Sequence, residues 1–260
     1  MSQSFLTHKT ALITGSTSGI GLGLAIALAK AGANIVLNGF GEHQHAVNQI
    51  ESLGVKTFFH PADMRNPAEI ESMMKASSDH FGGIDILVNN AGIQHVSPIE
   101  HFSPSKWDDV IAINLSSAFH TTRLALPGMR SKNWGRIINV ASVHGLVGSA
   151  DKSAYVAAKH GIVGLTKVTA LETATTGVTC NAICPGWVLT PLVQQQVDAK
   201  AKLLQISNEE AKRHLLQEKE PSMQFTTPEE LGELALFFCS HAAQNVRGVA
   251  WNMDGGWTAQ

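Results

Sequence analysis

The chain has 260 residues, room for one large domain or two small ones and enough to bury a substantial core. With 44% hydrophobic and 15% charged residues it is neither disordered nor fibrous, and 19 Lys and Arg against 21 Asp and Glu, with no block of like charge, argue against a nucleic-acid or anionic-membrane surface. The three cysteines, Cys180, Cys184 and Cys239, are odd in number and lack metal-ligand spacing, so a reduced cytosol is expected and no metal site.

Met1 to Lys9 lacks the basic start and apolar stretch of a signal peptide, and no apolar run approaches the ~18 residues of a membrane span, so a cytoplasmic protein is expected. Short apolar runs then alternate with helical patterns. Thr10 to Thr14 reads as a strand and Gly19 to Lys30 as a helix; Asn34 to Leu37 with Glu42 to Leu53, and Lys56 to His60 with Pro67 to His80, repeat the pair. Ile84 to Asn89 leads into one long helical pattern, Pro104 to Met129, and Arg136 to Ala141 leads into Ser153 to Thr173. Val178 to Ile183 and Val249 to Met253 complete the strands. Because these runs are apolar on both faces, they predict an α/β fold: a single Rossmann-like, doubly wound parallel sheet of about seven strands in one domain. Thr190 to Pro221 stands apart, rich in Gln, Glu, Lys, Ala and Leu, with two amphipathic helices and no strand between. It reads either as surface decoration or, preferred here, as a helical lid over a pocket beyond the strand ends.

Directly after the first strand, Thr14-Gly15-Ser16-Thr17-Ser18-Gly19-Ile20-Gly21 opens a helix. Glycines there let the backbone approach a pyrophosphate, which the free N–H groups of the helix terminus attract. Further on, Lys152, Tyr155 and Lys159 fall at i, i+3 and i+7, one face of a helix. An ammonium beside a phenol favours phenolate, so Tyr155 is expected to serve as general base toward an alcohol, with Ser142 donating to the substrate oxygen. Tyr155 is the single tyrosine of the chain, which argues that it is kept for chemistry.

The spacing Gly15-x-x-x-Gly19-x-Gly21 resembles that of the short-chain dehydrogenases/reductases, and the resemblance continues through nearly the whole chain. Asp63 resembles the residue that holds the adenine amino group, Asn89-Asn90-Ala91-Gly92 the family's loop after strand four, and Asn114 its helix asparagine, which holds a proton-relay water. Ser142, with Tyr155-Val156-Ala157-Ala158-Lys159, resembles the catalytic set, Lys159 also binding the nicotinamide ribose. Pro185-Gly186 and Thr190 resemble the elements that hold the nicotinamide end. The resemblance implies cofactor contacts at Gly15, Thr17, Ser18, Gly19, Ile20, Gly21, Phe40, Asp63, Met64, Asn90, Ala91, Gly92, Tyr155, Lys159, Pro185, Gly186, Val188 and Thr190. It also implies a homotetramer built on the Pro104 to Met129 and Ser153 to Thr173 helices, with the last strand at a second interface.

Strand two ends Leu37-Asn38-Gly39-Phe40-Gly41, without the acid that commonly binds the adenosine ribose. Neither this stretch nor the glycine turn carries Lys or Arg, which leaves a 2′-phosphate without a partner and favours NAD over NADP. Phe40 reads as either an adenosine contact or a core residue. Near the catalytic set, Lys152 and His144 are expected to make the site cationic, with the amides of Gln94 and Gln196 completing a carboxylate pocket and Trp187 and Trp257 walling a short aliphatic chain. This set resembles the family members that interconvert (R)-3-hydroxybutyrate and acetoacetate, and implies that activity on a small anionic hydroxy acid. Two alternatives remain: another reductase of the family, acting on a 3-oxoacyl thioester or a sugar alcohol, and a non-catalytic NAD-binding regulator.

Overall fold

In the computed structural model, residues 4–259 are described; the first three residues of the N-terminal segment and Gln260 lie outside the described residues. The strands β1 (Thr10–Ile13), β2 (Asn34–Asn38), β3 (Thr57–His60), β4 (Ile86–Asn89), β5 (Gly135–Val140), β6 (Val178–Pro185) and β7 (Ala250–Met253) form one sheet in the order β3-β2-β1-β4-β5-β6-β7, every pairing parallel. Every residue of β1, β4, β5 and β6 is buried, because helices cover both faces and neither side needs polar residues.

Alternation along the strands divides the core in two. Ile13, Ile35, Leu37, Ile86, Val88 and Ile138 face α1 (Gly19–Lys30), α2 (Gln44–Glu51) and α9 (Pro228–Cys239). Leu12, Val36, Leu87, Ile137 and Cys180 face α3 (Pro67–Phe81), α5 (Ser117–Ser131) and α6 (Ser153–Glu172). The chain order reverses between β1 and β4, and at such a switch point the loops beyond the carboxyl ends diverge and leave a crevice.

Two features depart from the sequence reading. The pattern over Pro104 to Met129 is two helices, α4 (Pro104–Ile111) and α5, joined by a π-helical turn over Ala112–Ser116. The widened turn holds Asn114, whose carboxamide both accepts from Ile93 N and donates to Ile93 O, each at 2.9 Å. The helix α9 is additional to the sequence pattern; Thr227 and Glu230 cap each other's backbone at its start. The Thr190 to Pro221 segment is α7 (Pro191–Leu204) and α8 (Asn208–Lys219), whose Val197, Ala201, Ala211 and Leu215 form a small core of their own, with Trp187 packed against it.

The crevice is fixed by Thr14. Its buried hydroxyl accepts the main-chain N–H groups of Asn90 and Ala91, both at 3.0 Å, and Asn90 Nδ2 returns to the carbonyls of Thr14 and Gly15 at 2.9 Å. Thr14→Val keeps the shape and strands two buried donors, so it should lower stability by about 2–4 kcal/mol, read as a lower denaturant midpoint with an unchanged slope.

Candidate active site

At the carboxyl ends of the strands lies a cavity of about 260 Å³. One end is the turn between β1 and α1. Gly15 has φ of +62°, and a Cβ there would meet Ala91 Cα at 2.9 Å; at Gly21 it would meet Ser16 Cα at the same distance. Glycine at both places lets the turn close on itself and on the Asn90–Ala91 segment while its backbone lines the cavity. Ser18, the N-cap of α1, makes no side-chain cap, and no acid occupies the first turn, so a partly positive helix terminus is available to a phosphate. These features fit a dinucleotide.

Of the expected cofactor residues, Gly15, Ser18, Gly19, Ile20, Gly21, Asn90, Ala91, Gly92, Pro185, Gly186, Val188 and Thr190 line the cavity. Thr17, Phe40, Asp63 and Met64 do not. Phe40 is 62% exposed, which removes its reading as a core residue. The Met64 side chain is buried in the core with Ile70 and Met73, leaving only its main chain for a ligand. Both carboxylate oxygens of Asp63 accept from Arg65, at 2.6 to 3.1 Å, and this guanidinium holds the carboxyl below its usual range. Arg65 also approaches Asp109 at 3.6 Å, so this guanidinium is answered by two acids.

At the other end, Ser142, Tyr155 and Lys159 share the cavity wall. Ser142 follows β5; its Oγ lies 3.3 Å from His144 Nδ1 and accepts from His144 N. Tyr155 and Lys159 lie one turn apart on α6, the ammonium 5.6 Å from the phenol ring centre and donating to Val140 O at 2.7 Å. Burial lowers Lys159 to about 8. Burial also raises the Tyr155 phenol, with the Ser142 hydroxyl acting the other way. The net direction is thus upward and not the expected lowering, with removal from water as the largest cause. Asn114 stands behind the wall, its side chain committed to Ile93.

All six expected substrate residues, Gln94, His144, Lys152, Trp187, Gln196 and Trp257, border the same cavity. Lys152 is the N-cap of α6, with φ of −123°, so it reaches the cavity from the loop and not from the helical face the spacing suggested. Its ammonium lies 5.6 Å from the Trp187 ring centre. His144 packs edge-on to Tyr155 and Trp257, at 5.8 and 5.4 Å. Burial, then Lys152 and Lys219, lower His144 to about 4. The expectation of a cationic histidine is therefore corrected: His144 is neutral, and the positive charge belongs to Lys152 and to Lys219 of α8, which sequence reasoning missed. Lys219 lies 5.7 Å over the Trp257 ring.

Three nitrogens in this wall, Gln94 Nε2, His144 Nε2 and Trp187 Nε1, are buried and have no hydrogen-bond partner. The apolar lining of Ile93, Val143 and Leu192 was also missed, and nothing in their sequence context marks it. Cys180, Cys184 and Cys239 are buried free thiols, raised to about 12, 11 and 12, which makes them inert. Among the described residues there is no cluster of metal-ligating side chains and no helix long and apolar enough to cross a membrane.

The short chain dehydrogenase family model matches residues 9–201. The chain is similar to the D-beta-hydroxybutyrate dehydrogenase of Cupriavidus necator, 68% identical over 257 residues, covering 98% of this chain and 100% of the relative. It is 55% identical over 256 residues to that of Rhizobium meliloti, with 97% and 99% covered. Among solved structures, it is similar to an actinorhodin polyketide ketoreductase with NADPH: TM-score 0.91, 34% identity, 97% and 98% of the two chains covered.

The lowered His144 sets a pH test. Unfolded, this imidazole takes a proton near 6.5, whereas folded it resists down to about 4, so stability is lost as pH falls through that window. His144→Gln should remove a component on the order of 3 kcal/mol, seen as a narrowing gap between wild type and variant from pH 7 to 4.

Proposed function

The chain belongs to the short-chain dehydrogenase family, and from that premise we propose that it oxidises (R)-3-hydroxybutyrate to acetoacetate, reversibly, with NAD. The observation that carries the substrate is the trio of unpartnered buried donors on Gln94, His144 and Trp187 beside the Lys152 ammonium. A buried donor without an acceptor costs roughly 1–3 kcal/mol, so three in one wall call for an oxygen-rich, negatively charged group. In this reading the substrate carboxylate takes Gln94, His144, Lys152 and Gln196. The rings of Trp187 and Trp257, 6.2 Å apart, limit the carbon chain.

The neutral His144 suits this role. With Nδ1 turned to the Ser142 hydroxyl, Nε2 carries the hydrogen and donates to the carboxylate without adding a second buried cation beside Lys152. On substrate binding the Ser142 hydroxyl turns its one hydrogen from His144 Nδ1 to the C3 oxygen, and Tyr155, as phenolate, takes the proton from the C3 hydroxyl. Lys159, buried next to the phenol and anchored on the Val140 carbonyl, compensates the phenolate charge. A nicotinamide held by Pro185, Gly186, Val188 and Thr190 would supply the hydride acceptor for C3. Asn114 contributes by fixing Ile93, next to Gln94, in the cavity wall.

The dinucleotide would lie along the glycine turn, Asn90 to Gly92, Pro185-Gly186, Val188 and Thr190, with Thr17, Phe40, Asp63 and the Met64 main chain toward the adenosine. NAD is favoured over NADP because, among the described residues, the stretch Asn38 to Gly41 after β2 carries no Lys or Arg and Arg65 is paired with Asp63 and Asp109. The α7–α8 layer is read as the lid over the carboxylate pocket. The cytoplasm and a homotetramer complete the proposal: Phe119, Val168 and Leu171 expose apolar surface on α5 and α6, and Trp251 does so on the sheet-edge strand β7.

The deciding experiment is NADH formation from the (R) and (S) acids and from their methyl esters. Turnover of the (R) acid alone is expected, with the ester at least tenfold lower in kcat/KM and Lys152→Ala raising KM about tenfold or more toward the acid. Equal rates with acid and ester would remove the carboxylate pocket. Separately, Tyr155→Phe should cut kcat by about a thousandfold or more while NADH binding, followed by fluorescence, is unchanged. Because the phenol is raised by burial, wild-type oxidation should speed up as pH rises above neutral and the reverse reduction slow.

A further inference from the structure

Glu220 is used by none of the chemistry above, yet it lies under the substrate pocket. It follows α8 directly and is 1% exposed. One carboxyl oxygen accepts the main-chain N–H of Trp187, across 33 residues of chain. The other, Oε2, is buried without a partner. Three segments meet on this carboxyl. Gly186, in the turn after β6, packs so closely that a side chain there would strike Glu220 Oε1 and Asp254 Cα. Gly255, in the loop that leads from β7 to Trp257, comes close enough that a Cβ would lie 3.4 Å from Oε2. The third is the end of the α7–α8 layer.

No cation pairs with Glu220 among the described residues. The charge that bears on it is Asp254 of the C-terminal loop, itself buried and holding Gly256 N, Thr258 N and Thr258 Oγ1. Lys219, on α8 itself, turns its ammonium over Trp257, and Lys152 at the start of α6 turns to the ring of Trp187. His144, across the pocket, is neutral. Burial, opposed by the Trp187 N–H and reinforced by Asp254, pushes the Glu220 carboxyl up to about 7.

We propose that Glu220 is a positioning residue for substrate binding: its neutral carboxyl ties the end of the α7–α8 layer to the Trp187 turn and the Trp257 loop, and its ionisation weakens capture of the anionic substrate. Protonated, it accepts from Trp187 while its charge repulsion with Asp254 vanishes. Ionised, it keeps the Trp187 N–H but sets a second negative charge next to Asp254 and beneath Trp187, on the side of the pocket that takes the anionic substrate. The proposal rests on the hydroxy-acid reading of the pocket.

Glu220→Gln keeps the size and the acceptor for Trp187 N–H but cannot ionise. In the wild type, KM for (R)-3-hydroxybutyrate should rise several-fold between pH 6 and 8.5, with KM for NAD level. In Glu220→Gln the substrate KM should stay near the wild-type pH 6 value across that range, and Glu220→Ala should raise it at every pH. Parallel KM profiles in wild type and Glu220→Gln would overturn the proposal.

A second readout needs no substrate. The folded carboxyl lies above its ordinary 4.5, so the wild type should lose Tm relative to Glu220→Gln as pH rises from 4.5 to about 7, and no further above. If that Tm gap is seen while the KM profiles run parallel, Glu220 is a buried acid without a positioning role. If the wild type oxidises neither enantiomer, the hydroxy-acid reading fails and takes this proposal with it, while the Tm gap still reports the carboxyl.

Discussion

The hydroxyl of Thr14 sets the distance between the carboxyl ends of β1 and β4, and the rest of the site is built outward from that distance. At this place the sheet's order reverses, and nothing in strand pairing alone fixes how far apart the two departing loops run. Thr14 fixes it by accepting from Asn90 and Ala91, and Asn90 answers by closing on Thr14 and Gly15. The glycine turn on one side and the Asn90 to Gln94 wall on the other are therefore one rigid unit. The same logic recurs deeper in the sheet, where Asn89 donates to Asn139 and Asn139 to Thr166, so that β4, β5 and α6 keep their stagger through buried amides.

Around that frame the protein manages charge mostly by removing it. His144 is buried in the field of the Lys152 and Lys219 ammonium groups, and it answers by losing its proton. Lys159 gives its hydrogen to a carbonyl and not to an acid, so it is free to follow the charge on Tyr155. Beyond β3 the opposite solution is used: Arg65 is fixed by two carboxylates. A hydride-transfer site thus has one end whose protons can move and another whose charges are pinned.

The strands were legible because β1, β4, β5 and β6 are covered on both faces and their composition cannot hide it. The glycine turn and the residues around Ser142 and Tyr155 were legible because close backbone approach and proton transfer admit few residue types. What stayed hidden depends on tertiary surroundings. The turn at Asn114 looks like ordinary helix until Ile93 is seen to occupy its amide. The charge of His144 follows from burial and from Lys219, 75 residues away, and the environment of Glu220 from a turn 33 residues earlier. Helix α9 is a different case: Thr227-Pro228-Glu229-Glu230 announces it plainly, and it was overlooked beside the longer patterns.

The small core shared by α7 and α8 touches the two sheet cores nowhere among its buried members, and Trp187 is its link to the pocket. Substitutions of Val197, Ala201, Ala211 or Leu215 therefore act on a separate packing problem, and their effects add to those in the sheet without coupling. The part that lines the dinucleotide crevice is constrained by close backbone approach, whereas the outer faces of α7 and α8 can change without touching the sheet beneath them, as long as the cavity-lining residues and the Glu220 junction with Trp187 are kept.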